Sequence, residues 1–263
     1  MKEKRQTITF LGGDERCVYA AKELSARGFY VASGVEDGAV AAVIPINQKG
    51  CTIKTESGDV SLSDAVRRMK NAAFFGGEPT AEMSYALGGR TYFDLTKDEA
   101  FAAENAILTA EGALGIMIDR MPFSVRGTRL YVLGYGRIGR ALTPMLCSLG
   151  AVVTVFARSV SARQEAEKYC NALDFSNFQA GADCVINTVP SSALSPAQKE
   201  MIGGAYVIEL ASAPGGFSFD ERAALGEKFI HAPGLPGKTA PISAGKIIGK
   251  AIFDILKGEK LKC

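Results

Sequence analysis

Histidine is almost missing from this chain: His231 is the only one in 263 residues. A Ser-His-Asp hydrolase would have to be built on it, and no G-x-S-x-G precedes it. Cysteine occurs six times, at 17, 51, 147, 170, 184 and 263, but never as C-x-x-C and never with histidine at ligand spacing. That argues against zinc and iron–sulfur centres, and no metal site is expected. Cys147 and Cys184 sit in apolar patterns and read as small core residues. A surplus of one charge is lacking too. The formal net charge of +2 leaves no electrostatic footprint for nucleic acid. The basic start, Lys2, Lys4 and Arg5, has Glu3 inside it and reads as a solvated tail before a strand. No apolar run reaches the ~18 residues of a membrane span. Residues 8–11 are too short an apolar segment for a signal peptide. What remains is an ordinary globular mix, 47% hydrophobic and 22% charged, with free thiols and a cytoplasmic setting expected.

The strongest positive signal is residues 129–140, RLYVLGYGRIGR. A β-rich run meets G-x-G-x-x-G and a helical pattern follows, the arrangement that binds the pyrophosphate of a dinucleotide. Gly134 permits the tight turn, Gly136 lets backbone approach phosphate, and Gly139 lets the helix lie close to the strand. Tyr135, Arg137 and Ile138 complete the loop. The helix N-terminus offers free N–H groups and a positive dipole end to the anion. Ile138, Leu142, Leu146 and Leu149 keep helical spacing up to Gly150, and Pro144 among them should kink or loosen that helix. The next strand, 151–156 (AVVTVF), lacks the terminal carboxylate that holds the NAD ribose roughly 20 residues past the glycines. Arg158 and Ser159 stand there instead and suit a 2′-phosphate, so NADP is expected over NAD. The alternative is a solvated Arg158 and a site indifferent to the phosphate.

Strands and helices also alternate in the first half. Residues 7–11 read as a strand ending in Gly12-Gly13-Asp14. A helix follows over 15–27, with Val18, Ala21, Leu24 and Ala26 as its apolar positions and Gly28 as its stop. Residues 29–32, 41–46, 71–75 and 90–93 read as further strands, and 61–69 as a helix. Residues 96–120 form a long helical stretch with Ile107, Leu114 and Ile118 on one face and a Thr96–Glu99 capping box. Residues 184–189 and 205–210 read as buried strands, each ending in a polar, proline-containing turn. Pro241 opens a last helix striped by Ala244, Ile247, Ile248, Ala251, Ile252, Ile255 and Leu256, with Gly258 as its end. The expected fold is α/β: two doubly wound, Rossmann-like domains, each with a parallel sheet, bridged by long helices. Residues 1–120 form a flavodoxin/Rossmann-like substrate-side domain, and 121–240 an NAD(P)-binding domain. Helix 241–263 packs back on the first, with the active cleft between them.

Several segments together resemble one family, the A subunits of dipicolinate synthase. They are GGDER at 12–16, Thr109-Ala110-Glu111-Gly112, GYGRIG at 134–139, NTVPS at 187–191, LASAPGG at 210–216 and APGLPG at 232–237. That last run continues through Ala240-Pro241 and Ser243-Ala244-Gly245. Their order runs over most of the chain, and residues 29–95 match least clearly. The resemblance implies oxidation of dihydro- or hydroxytetrahydrodipicolinate to pyridine-2,6-dicarboxylate in the mother cell of a sporulating bacterium. It also implies, as partner, the smaller, flavoprotein-like B subunit of dipicolinate synthase; homo-oligomerisation stays open. One departure stands out: Ala213 occupies a position where the family pattern leads us to expect arginine. The role of such an arginine would then pass to Arg16 or Lys238.

Hydride transfer with aromatisation asks the protein to orient a ring and hold two carboxylates. Carboxylates want cations, hydroxyls and N–H groups. Arg16, Thr109, Ser212, Gly215, Gly216, Gly234 and Lys238 are the expected substrate contacts. Glu111, Lys238 and Ser212 are the expected catalytic residues, with Glu111 as the candidate general acid or base. For Arg16 and Glu111 a solvated helix position is the competing reading. Asn187, Thr188, Val189 and Pro190 are expected to border the nicotinamide ribose. His231 reads as a structural residue. Two further readings are another two-domain NADP-dependent dehydrogenase and a non-catalytic, nucleotide-sensing protein.

Overall fold

The computed structural model describes residues 5–55 and 58–260. Lys2 and Lys4 of the expected tail, and Cys263, lie outside the described residues. The chain divides into two compact units, Met1–Asn105 with Pro236–Cys263, and Ala106–Leu235.

In the first unit five parallel strands, β1 (Thr7–Phe10), β2 (Tyr30–Ser33), β3 (Ala41–Val43), β6 (Ala73–Gly76) and β7 (Tyr92–Asp94), lie in the order β2-β1-β3-β6-β7. Counted along the chain this is 2-1-3-4-5, the flavodoxin-like order with its reversal between β1 and β3. A short antiparallel ribbon joins β4 (Thr52–Ile53) and β5 (Val60–Ser61). Alternation along the strands feeds two cores. Phe74 packs with Ile44, Leu62 and Met83, from α2 (Leu62–Arg68) and α3 (Ala81–Leu87) among others. Phe75 packs with Ile8, Leu24 and Ile252.

Leu24 belongs to α1 (Glu15–Ala26) and Ile252 to α10 (Pro241–Lys260). These two helices meet through glycine. A Cβ on Gly245 would come within 2.5 Å of the Arg16 carbonyl and of Tyr19 Cβ, and one on Gly249 within 2.8 Å of Glu23 Cβ. The inward face of α1 is Arg16, Ala20 and Leu24, whereas Val18, read as apolar-facing, is exposed. Arg16 can be buried because Asp14 takes its Nε and Nη2 at 2.9 and 2.6 Å. Burial pushes the Asp14 carboxyl up, and the hydrogen bonds and charge of Arg16 outweigh it, holding it below the usual carboxylate range.

The long helix α4 (Glu99–Arg120) differs from its sequence reading in three ways. Asp98, not Thr96, accepts the N-terminal bond, from Phe101 N at 2.7 Å, while Thr96 donates its hydroxyl to Asp94. The buried residues include Phe101, Ala106, Leu108, Thr109, Ala110, Gly112, Ala113 and Met117, and Leu114 packs partly buried beside them, whereas Ile107 and Ile118 are exposed. Third, the helix is long and apolar enough to cross a membrane by length and composition alone, which counting unbroken apolar runs missed. Its Phe101 and Ala110 instead fill protein cores. The boundary between units falls inside α4, after Asn105, and not near residue 120. Phe101 joins the first unit's core and Ala110 the second's, so one continuous helix serves both.

The second unit holds six parallel strands: β8 (Arg129–Leu133), β9 (Val152–Phe156), β10 (Asn171–Leu173), β11 (Cys184–Asn187), β12 (Tyr206–Glu209) and β13 (Phe229–His231). They run β10-β9-β8-β11-β12-β13, the 3-2-1-4-5-6 order of dinucleotide-binding folds. Leu130 and Val132 face one core, Tyr131 and Leu133 the other. The helices are α5 (Arg137–Ser148), which continues through Pro144, α6 (Val160–Ala166), α7 (Pro196–Glu200) and α8 (Phe219–Leu225). The APGLPG run, read as a turn, is partly helical, as α9 (Leu235–Thr239). The last helix runs past Gly258 to Lys260, since a glycine without a left-handed conformation does not stop a helix.

Replacing Gly245 by Ala should lower the stability of the full chain by about 1–3 kcal/mol through overpacking against α1. Gly115→Ala in α4, where a Cβ meets nothing, should raise it by about 0.5–1 kcal/mol. Thermal melts of the two variants would show shifts of opposite sign.

Candidate functional site

The second sheet reverses between β8 and β11, and the segments leaving the carboxyl ends of β8, β9, β11 and β12 form one cluster. The glycine loop comes first. Gly134 has φ +95, and its N–H donates to the Phe156 carbonyl at 2.8 Å. A Cβ there would lie 2.5 Å from Thr188 Oγ1 and 2.8 Å from Val189 Cγ2. A Cβ on Gly139 would lie 2.4 Å from the Gly134 carbonyl. Both glycines therefore answer to protein packing. Gly136 does not: it caps α5 at φ −80 and ψ −160, which other residues adopt, and a Cβ would meet nothing. Tyr135 is buried, with Arg140 5.4 Å over its ring, while Arg137 is exposed and Ile138 half-buried.

Arg158 follows β9 and is exposed. Its backbone is held by Arg163, whose Nη1 donates to the carbonyls of Ala157 and Arg158 at 2.7 Å each and to Asp174 at 3.0 Å. Ser159 caps α6, accepting from Ala162 N at 3.4 Å. No carboxylate ends β9; Phe156 and Ala157 there are buried.

The turn after β11 closes on the glycine loop. Thr188 donates from both its N–H and its hydroxyl to the Leu133 carbonyl, at 2.9 and 2.8 Å. Asn187 braces the same turn: its Nδ2 donates to the Val189 carbonyl at 3.0 Å, and its Oδ1 accepts from Val189 N at 3.1 Å. Pro190 beyond them is exposed.

One residue of this cluster escaped the sequence reading. Glu209, the last of β12, is fully buried. It accepts from Asn187 Nδ2 at 2.7 Å, Ala211 N at 3.2 Å and Gly216 N at 2.9 Å. The available signal was an acidic residue closing the apolar run AYVIEL. The N–H of Gly216, expected to face substrate, is thus directed at Glu209, and Gly215 is buried beside it. Ser212 is exposed. Arg222 brings a guanidinium to this turn, Nη2 donating to the Pro214 carbonyl at 2.9 Å.

The other expected residues are scattered over both units. In the second unit Thr109 is buried and Glu111 exposed, two residues apart and so on opposite faces of α4, while Gly234 and His231 are exposed. In the first unit Lys238 is exposed in α9, and Arg16 is buried, paired with Asp14, with its Nε 2.8 Å from where a Gly237 Cβ would stand. Among the described residues no group of three or more His, Cys, Asp or Glu is placed to hold a metal.

Comparison with known proteins agrees with this geometry. Residues 104–210 match the NAD-binding domain of D-isomer-specific 2-hydroxyacid dehydrogenases. The A subunit of dipicolinate synthase from Bacillus subtilis (strain 168) is 32% identical over 177 residues, a match spanning 65% of this chain and 59% of that protein. In fold, the dipicolinate synthase A subunit from Bacillus halodurans superposes with a TM-score of 0.88 at 24% identity, covering 95% of this chain and 97% of that one. The apo-structure of D-lactate dehydrogenase from Escherichia coli reaches 0.60 at 13% identity, covering 97% of each chain. The chain therefore has a two-domain Rossmann-type fold, its residues 104–210 match a 2-hydroxyacid dehydrogenase NAD-binding domain, and over 65% of its length it is similar in sequence to a dipicolinate synthase A subunit of which it spans 59%.

Proposed function

We propose that this chain is an NADP-linked oxidoreductase that forms dipicolinate from dihydro- or hydroxytetrahydrodipicolinate, working in the cytoplasm with a flavoprotein-like B subunit. The supporting observation is Gly136. The protein around it does not require glycine there, and the space it leaves lies at the N-terminus of α5. A phosphate needs that space, and backbone N–H groups at a helix start suit its charge. The residues present fit a dinucleotide: the Gly134–Gly139 loop for the pyrophosphate, Arg158 and Ser159 for a 2′-phosphate, and Asn187, Thr188, Val189 and Pro190 along the nicotinamide ribose.

A bound nicotinamide would supply a two-electron hydride acceptor for the dihydropyridine, whose ring would become aromatic as it also gives up a proton. A hydroxylated substrate must lose water first. In this reading the side chains bind and orient. Arg16 and Lys238 are assigned to substrate carboxylates, with Ser212 and Thr109 as hydroxyl partners and Gly215, Gly216 and Gly234 shaping the approach. For Arg16 the Nε and Nη2 atoms already serve Asp14, which leaves Nη1 for the ligand. Glu111 is assigned the proton, being exposed on α4.

The glycine and the arginine each give a prediction. Gly136→Ala should lower stability by no more than about 1 kcal/mol, the cost of a poorer N-cap, and weaken NADPH binding by at least about tenfold, the scale of a lost charge-assisted hydrogen bond. Calorimetric titration beside a thermal melt checks it, and unchanged affinity would remove the phosphate from this loop. Arg158→Glu should lower NADPH affinity about tenfold or more while leaving NADH affinity equal or improved. Equal losses for the two dinucleotides would contradict the 2′-phosphate assignment.

A further inference from the structure

We propose that Glu209, acting through Asn187, is the positioning residue for the nicotinamide half of the bound dinucleotide. The inference rests on the dinucleotide reading of the second sheet. A buried carboxylate is costly unless its oxygens are satisfied, and a well-packed apolar residue would serve the stability of β12 as well or better. Glu209 is nonetheless fully buried, and both its oxygens accept hydrogen bonds: Oε1 from Asn187 Nδ2 and Ala211 N, Oε2 from Gly216 N.

The consequence is a fixed order of donors and acceptors. Asn187 stands opposite Glu209 in register on the neighbouring strand and is itself 1% exposed. Its amide can flip in principle. The flipped form would set its oxygen against the Glu209 carboxylate and its NH₂ against the Val189 N–H. The carboxylate therefore selects one orientation, and that orientation holds Val189 by both its N–H and its carbonyl. Gly216 completes the knot: a Cβ there would lie 2.5 Å from Asn187 Nδ2. One side chain thus fixes the turn after β11 and the turn after β12 together.

Those two turns lie on one side of the glycine loop. Arg158, after β9, lies on the other. A dinucleotide whose pyrophosphate meets the loop after β8 and whose adenosine ribose meets Arg158 must extend its nicotinamide half toward the ends of β11 and β12. Glu209 consequently governs one half of the ligand and not the other.

The test is calorimetric titration of the full chain with NADPH and NADH and with 2′-phospho-ADP-ribose and ADP-ribose, which lack nicotinamide. Two variants are used. Glu209→Gln places a donor among donors, and Asn187→Ala removes the intermediary without adding bulk. Each should weaken whole-dinucleotide binding about tenfold while leaving the ADP-ribose fragments within about twofold, the scale expected when a buried donor loses its partner. Equal weakening of dinucleotide and fragment would reveal a general structural role and overturn the proposal. So would undiminished dinucleotide affinity in a folded Asn187→Ala chain. A wild-type chain that binds the fragments but gains nothing from the nicotinamide also overturns it, leaving the dinucleotide-fold reading standing. Wild-type binding of neither class removes both.

Discussion

The second unit depends on how closely α5 is drawn to the end of β8. Gly139 sits where any side chain would strike the Gly134 carbonyl. That contact sets the start of α5 directly after the loop, with the open space at Gly136 beside it. The Gly134 N–H bonds across to the end of β9, and Thr188 bonds back to Leu133 from the end of β11. Three neighbouring parallel strands thus deliver their carboxyl ends to one place. An anion placed there meets oriented dipoles that need no rearrangement.

The first unit uses glycine differently. Gly245 and Gly249, one turn apart on α10, bring it to backbone distance from α1. This returns the end of the chain to the sheet that its beginning formed. Arg16 is buried in the process, with its charge answered by Asp14 and its nitrogen close to Gly237. Packing and charge pairing are therefore inseparable at the start of α1, where β1 ends beside the reversal of strand order.

Much of this was legible from residue pattern. Buried parallel strands are apolar on both faces, so LYVL, AVVTVF and CVIN announced themselves, and the glycine fingerprint needed only its strand and helix. Helix faces were harder. Arg16 counts as polar in any periodicity, yet pairing with Asp14 lets it occupy a buried position that Val18 does not. On α4 the small residues Ala106, Ala110 and Ala113 face inward beside Leu108 and Met117 while Ile107 and Ile118 face outward, so a stripe drawn through the largest aliphatics misplaces the face. The APGLPG run shows glycine and proline opening a helix where turn chemistry suggested a loop. Glu209 was least legible: a single acidic residue ending a strand has no motif, and its meaning comes from Asn187 and Gly216, 22 and 7 residues away.

The most direct test of the account is ultraviolet detection of dipicolinate when the purified chain is given NADP and freshly made hydroxytetrahydrodipicolinate, with and without the B subunit. The account predicts product with a matching rise in NADPH, either from this chain alone or only when both proteins are present. No product under either condition, from a chain that still binds NADPH, would contradict it and direct the dinucleotide site to a different substrate or to sensing.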